Sequence, residues 1–119
     1  ELAWIRDSLG VEVLDFPDLD KRDDFEGLTA LLSTLDLFVG TGTTTTELAA
    51  MTGLPTVLAS PANMNAYRNP DHTETDRYYD NVRFIRPIPA TDRAVMLARI
   101  RAIIAEAAMA KTARPAAAE

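Results

Sequence analysis

What most constrains this chain is an alternation. Short apolar runs rich in β-branched residues are separated by stretches whose apolar residues recur at helical spacing, and no run is long enough to make a domain by itself. Leu2, Ile5 and Leu9 fall at helical spacing, with Gly10 as a stop. Val11 to Phe16 (VEVLDF) then reads as a strand. Asp23 with Glu26 matches a capping box, and it opens a helix that places Phe25, Leu28, Leu31, Leu32 and Leu35 on one face. Leu37–Val39, or through Gly40, is a second strand. Thr44 with Glu47 is a second capping box, opening a helix to about Thr52 that Gly53 ends.

Pro55 precedes a third strand, Thr56–Ala59. A polar loop runs from Ser60 to about Asn81, and Val82–Ile85 is a fourth strand. Thr91 caps a last helix carrying Val95, Ile100, Ile103, Ile104 and Ala107, and the stretch from about Lys111 to Glu119 is expected to be disordered. Helices alternating with strands that lack strict period-2 patterning predict an α/β fold. The expected form is Rossmann-like: a mainly parallel sheet of about four strands flanked by helices, within residues 1–110. Ligands of such sheets bind beyond the carboxyl ends of the strands. The turn GTGTTTTE and the long loop after Ala59 both leave carboxyl ends, so they are expected on one edge.

Composition narrows the function classes. The 119 residues suit one small domain, and 47% hydrophobic with 25% charged residues is ordinary for a globular protein. No apolar stretch reaches the length of a membrane span and no signal-peptide pattern opens the chain, so the cytoplasm is the default compartment. With no cysteine, disulfides and thiolate zinc sites are excluded, and the lone His72 cannot build a histidine-rich metal site. Residues 1–47 hold 11 acidic against 3 basic side chains, whereas residues 48–119 hold 7 against 9. No basic patch is dense enough for nucleic acid. The absence of an initiator Met and the immediate helical pattern suggest a piece of a longer polypeptide.

The turn Gly40-Thr41-Gly42-Thr43-Thr44-Thr45-Thr46 sits between an apolar strand and a helix start, where unpaired amides and the positive end of a helix dipole suit an anion. It is not a Walker loop, since no Gly-Lys-Ser/Thr follows, and Thr45 stands where G-x-G-x-x-G needs its third glycine. Two readings stay open: a phosphate site, in which Gly40 and Gly42 admit a ligand and Thr43 to Thr46 supply hydroxyls and amides, or a capped helix with no ligand. Glu47 can accept from a sugar hydroxyl or reach back to the Thr44 amide, and the capping reading is favoured.

His72, with Asp71, Glu74 and Asp76 near it, reads as a solvated loop more readily than a metal cluster. Tyr67, Tyr78 and Tyr79 can stack on a base or pin the loop to a core. Arg68, Arg77 and Arg86 are phosphate-clamp candidates or surface residues. No acid–base pair or nucleophile stands out, and no cofactor motif is found.

The run DDFEGLTALLSTLDLFVGTGTTTTELAAMTGLPTVL, followed by DRYYDNVRFIRP, resembles the C-terminal half of a GT-B glycosyltransferase domain. It is most similar to bacterial domains attached to tetratricopeptide repeats, related to heptosyltransferases and O-GlcNAc transferases. The likeness covers about residues 11–104 and is carried by the Asp-rich helix start at Asp23, the Leu35–Leu37 stretch, Thr43–Thr45, Leu48-Ala49, Gly53, Pro55, Tyr78-Tyr79 and Arg83–Arg86. It departs at Gly42 and Glu47, where the family often has Asp and His, and at Tyr78-Tyr79, where a Trp/Tyr pair is common.

The resemblance implies a donor-binding part that receives a nucleotide diphosphate sugar at Gly40, Gly42, Thr43, Thr44, Thr45, Glu47 and Arg68, without a metal. Transfer to a protein or glycan acceptor would need the N-terminal domain of the parent chain. A scaffold module that keeps the fold without the donor site is the alternative. In the sheet order 3-2-1-4-5-6, Val11–Phe16 would be third and Leu37–Val39 fourth, with the first two strands between them missing. The open edge predicts a homodimer with one of these regions at its interface.

Overall fold

The computed structural model describes residues 2–59, 68–69, 73–85 and 93–113. Four helices and three strands follow in the order α1 (Leu2–Leu9), α2 (Phe25–Leu32), β1 (Phe38–Gly40), α3 (Thr44–Met51), β2 (Thr56–Ala59), β3 (Val82–Ile85) and α4 (Arg93–Ala113). The strands form one parallel sheet in the order β1-β2-β3, with Phe38 opposite Thr56 and Thr56 opposite Val82. The small α/β domain with a parallel sheet is therefore as expected. Among the described residues the sheet has three strands and not four.

The missing strand is Val11–Phe16. Its side chains have strand chemistry, yet the segment lies in irregular backbone with Val11, Leu14 and Phe16 exposed. A strand exists only by laddering with a neighbour. Here the Val13 carbonyl instead accepts from the Arg6 guanidinium, at 3.2 Å from Nε and 2.5 Å from Nη2.

α2 begins one residue later than the capping-box spacing suggests. Asp24, not Asp23, is the N-cap, and its carboxylate accepts the Gly27 N–H at 2.8 Å. The glycine makes room for it, since a Cβ there would collide with the Asp24 carboxylate and with Leu19 Cδ1. At the other end the hydroxyls of Ser33 and Thr34 donate to the carbonyls of Thr29 and Leu31 (2.9 and 2.8 Å), as second donors beside the backbone N–H groups of the same two residues.

α3 stands at the centre of the packing. Ala49 joins Leu28, Leu32 and Leu54 in one apolar cluster between α2 and α3, while its neighbour Ala50 joins Leu58, Val82 and Phe84 in a second. Small residues at both positions let the helix sit close to each layer. Gly53, at φ 78°, ends it in the left-handed conformation that a side chain would resist. Asn81 then ties helix to sheet: its amide donates to the carbonyls of Ala50 (3.0 Å) and Leu54 (2.7 Å), and its own carbonyl accepts from Thr56 N (2.9 Å).

α4 is 21 residues long, runs into the segment expected to be disordered, and keeps none of its described side chains fully buried. Lys111 anchors it, with Nζ 2.6 Å from Asp36 Oδ2. Residues 114–119 and the Thr91 cap lie outside the described residues. No helix among the described residues is long and apolar enough to cross a membrane.

Candidate functional site

The described part of the loop after Ala59 reaches α3 just past the Thr turn, where Arg68 meets Glu47. Gly40 closes β1 in a tight place: a Cβ would lie 2.6 Å from Phe38 Cε1 and 3.3 Å from Thr46 Oγ1, so a larger residue would have to displace the Phe38 ring. Thr43 is the N-cap of α3, with extended backbone at φ −128° and ψ 170°, but its side chain makes no capping bond. The Thr43 hydroxyl lies 3.4 Å from Thr46 Oγ1, and Thr46, wholly buried, donates to the Thr41 carbonyl. The backbone N–H groups of Thr46 and Glu47 return to the Thr43 carbonyl at 3.0 and 3.2 Å. Among the described residues this leaves the N–H groups of Thr44 and Thr45 without an acceptor.

The capping box expected from Thr44 and Glu47 does not form: Thr44 is already inside the helix, and the Glu47 carboxylate turns away to Arg68.

Thr43, Thr44 and Thr45 line an open pocket of about 410 Å³ together with Phe25, Leu28 and the turn Lys21-Arg22-Asp23. Lys21 Nζ is held by Asp15 Oδ1 (3.2 Å) and the Phe16 carbonyl (3.1 Å). Arg22 has no side-chain partner among the described residues. The turn is fixed by Asp20, which accepts the N–H groups of Arg22 (3.0 Å) and Asp23 (3.1 Å), and these bonds hold its carboxyl below the ordinary aspartate range. Asp15 is lowered too, chiefly by its bond from Lys21 and then by the Phe16 amide. Lys21 is matched by Asp15 and Asp23 also lines the pocket, so Arg22 is the cation there that has no side-chain partner among the described residues, within the most acidic part of the chain. A larger hollow, about 480 Å³, opens at the opposite edge of the sheet between Leu35, Leu37, Pro55 and α4. It is walled mainly by aliphatic side chains and has no comparable set of amides and hydroxyls.

Arg68 sits where a phosphate clamp was expected, but buried. Its side chain is 2% exposed, Nε donates to Asp76 Oδ2 at 2.8 Å, and Nη1 reaches Glu47. Nη2 lies 2.7 Å from the same Asp76 oxygen without a hydrogen-bond alignment, so it adds charge attraction and Nε carries the bond. The guanidinium also stands 5.5 Å above the Tyr79 ring, a favourable cation–π distance. Asp76, its side chain wholly enclosed, accepts the N–H groups of Tyr78 (2.7 Å) and Tyr79 (3.1 Å) as well. Arg68 is thus a positioning residue that fastens the edge loop to α3. Glu47, 41% exposed, is the only part of this cluster facing solvent near the Thr turn.

The remaining expectations divide. Tyr79 pins the loop to the second apolar cluster, whereas Tyr78 is exposed. Glu74 pairs with Arg83 (3.0 Å) and Arg99 (3.5 Å), and no group of metal-ligating side chains occurs among the described residues. Gly42 is half-buried in the turn, and Arg77 is exposed. Tyr67, Asp71, His72 and Arg86 lie outside the described residues. Sequence reading missed Lys21 and Arg22 at the site and the Arg68–Asp76 pair. No short-range pattern marks either one, although a lone basic pair inside an acidic stretch was a usable signal for the first.

Comparison of the chain with protein-family models, with curated proteins and with solved structures found no match.

Proposed function

We propose that this domain binds the diphosphate of a nucleotide sugar at the start of α3, as the donor-binding part of a GT-B type glycosyltransferase. The observation that carries the reading is the uncapped helix start: the amides of Thr44 and Thr45 and the hydroxyls of Thr43 to Thr45 open into one pocket with Arg22 and Lys21. A helix that needed only a cap would have used the Thr43 side chain for it. Free amides at the positive end of a helix, beside an unpaired guanidinium, favour an anion. In a complete transferase such a group would stabilise the leaving diphosphate as the bond to the sugar breaks.

The test is calorimetry of the chain with uridine, uridine diphosphate, guanosine and guanosine diphosphate. A diphosphate is expected to bind more tightly than its nucleoside, and Arg22→Ala is expected to weaken it by about 1–3 kcal/mol. Thr44→Pro is the sharper variant. Proline is tolerated at the first helical position and removes the N–H there, so affinity should fall below that of Thr44→Ala while the fold persists. Equal affinity for nucleoside and diphosphate removes the reading.

A scaffold module without donor chemistry is the second reading, and the engagement of Glu47 with Arg68 favours it. Glu47 occupies the position where the resembled family often has His, and here its carboxylate fastens a loop. If the scaffold reading holds, the Thr turn binds neither diphosphate nor nucleoside and Glu47→Ala changes only stability.

A further inference from the structure

The two ends of the chain carry complementary unpartnered surfaces. At one end, α1 and the segment to Phe16 expose Trp4, Leu14 and Phe16, with the first 71% open to solvent. Around them Asp7 and Glu12 have no ion-pair partner among the described residues. At the other end, one stripe of α4 faces away from the domain. Arg93, Leu97, Arg101 and Ile104 recur at intervals of four, four and three residues, which places them on a common face of a helix. All four are exposed, and the two arginines are unpaired among the described residues. The inward stripe, Met96, Ile100, Ile103 and Ala107, is half-buried. The helix therefore has a second apolar face, ringed by positive charge, that its own domain does not cover.

We propose that the chain forms a two-fold homodimer in which the acidic, apolar arm of each copy lies on the basic outer stripe of α4 of the other. Both halves of a matched pair occur in one chain, and a two-fold arrangement, in which each arm meets the α4 of the other copy, satisfies both contacts and closes where a head-to-tail chain would not. Charge selects the pairing: arm against arm and α4 against α4 oppose like charges, whereas arm against α4 joins opposite ones. The apolar side chains enclosed between them supply the attraction that charge by itself would not.

Light scattering of the purified chain from about one to about one hundred micromolar tests this, at low salt and at roughly half-molar salt, where screening shortens the reach of surface charges. The expected result is a dimer mass whose dissociation constant rises at least about tenfold with salt. Two double variants, Arg93→Glu with Arg101→Glu and Asp7→Lys with Glu12→Lys, should each be monomeric. Mixed together they should form a one-to-one heterodimer, because each arm again meets an α4 of opposite charge. All four positions are on the surface, and circular dichroism checks that the variants keep their helices. A monomer across the concentration range overturns the proposal. So does a dimer that survives either double variant, or a mixture that stays monomeric.

Discussion

Leu58 in β2 is wholly enclosed, while Ile104 in α4, a side chain of the same size, is 48% exposed. Both are large aliphatic residues, yet the centre of the domain and its ends are held by different means. β2 is laddered to β1 and β3, and Leu58 packs with Ala50 of α3, Val82 and Phe84 in the second apolar cluster. The ends are held more lightly: the arm is tied to itself by Arg6 on the Val13 carbonyl, and α4 adds Lys111 to Asp36 and Arg99 to Glu74 to a stripe that is only half-buried. Exposed pairs of that kind each contribute about 0–1 kcal/mol. The difference teaches that in this chain secondary structure extends well beyond the cooperatively packed unit. The candidate site belongs to both regions, because α3 is central whereas Lys21 and Arg22 are in the exposed turn that joins the N-terminal arm to α2.

The comparison breaks most visibly at the buried ion pair. Arg68→Ala would leave the enclosed Asp76 carboxylate without its counter-charge, and the expected loss is about 3–5 kcal/mol in urea unfolding. Glu47→Ala removes the exposed partner of the same guanidinium and should cost under about 1 kcal/mol. If the two losses were equal, Arg68 would not be held chiefly from within.

The contrast between centre and ends is sharpened by one pair of truncations. Leu58→Ala should destabilise by about 2–5 kcal/mol, since the cavity it leaves lies in a laddered strand that cannot collapse freely. Ile104→Ala should stay within about 1 kcal/mol, as surface changes do. A large loss at Ile104, measured at a concentration where the chain is monomeric, would mean that α4 is part of the cooperative core.

The smallest effect concerns acid. Asp15 and Asp20 have folded pKa values held down by Lys21 and the Phe16 amide, and by the amides of Arg22 and Asp23. A depressed carboxylate contributes order that is present above its unfolded value, about 3.9, and is lost as pH falls through the folded value. Acidification from roughly pH 5 to below pH 4 should therefore loosen the turn at Lys21-Arg22-Asp23 before the sheet. Amide-exchange protection at Arg22 and Asp23, corrected for intrinsic rates, is expected to fall while that of Val57 and Leu58 holds. Uniform loss across all four would show that the turn and the centre open together.

Much of the fold was legible because it rests on short-range chemistry. Thr56–Ala59 and Val82–Ile85 are strands as their apolar runs imply, they lie parallel, and α1 and α3 end at Gly10 and Gly53. The sequence by itself also marked the strand-to-helix junction from Gly40 to Thr46 as either a candidate anion site or a capped helix start, since a helix start presents amides that need an acceptor.

Only the tertiary structure decided the rest. Val11–Phe16 has the residues of a strand, but a strand requires a neighbour about 4.8 Å away, and no local pattern states whether one is there. Thr43 has the side chain of a helix cap, but its hydroxyl is drawn to Thr46, so the cap is left open. Glu47 has the spacing of a capping partner, but Arg68, 21 residues away, offers a full charge where the helix offers only an amide. Arg68 itself, a phosphate-clamp candidate in sequence, becomes the buried tie between loop and helix because Asp76 and the Tyr79 ring, further along the same loop, enclose and pair it.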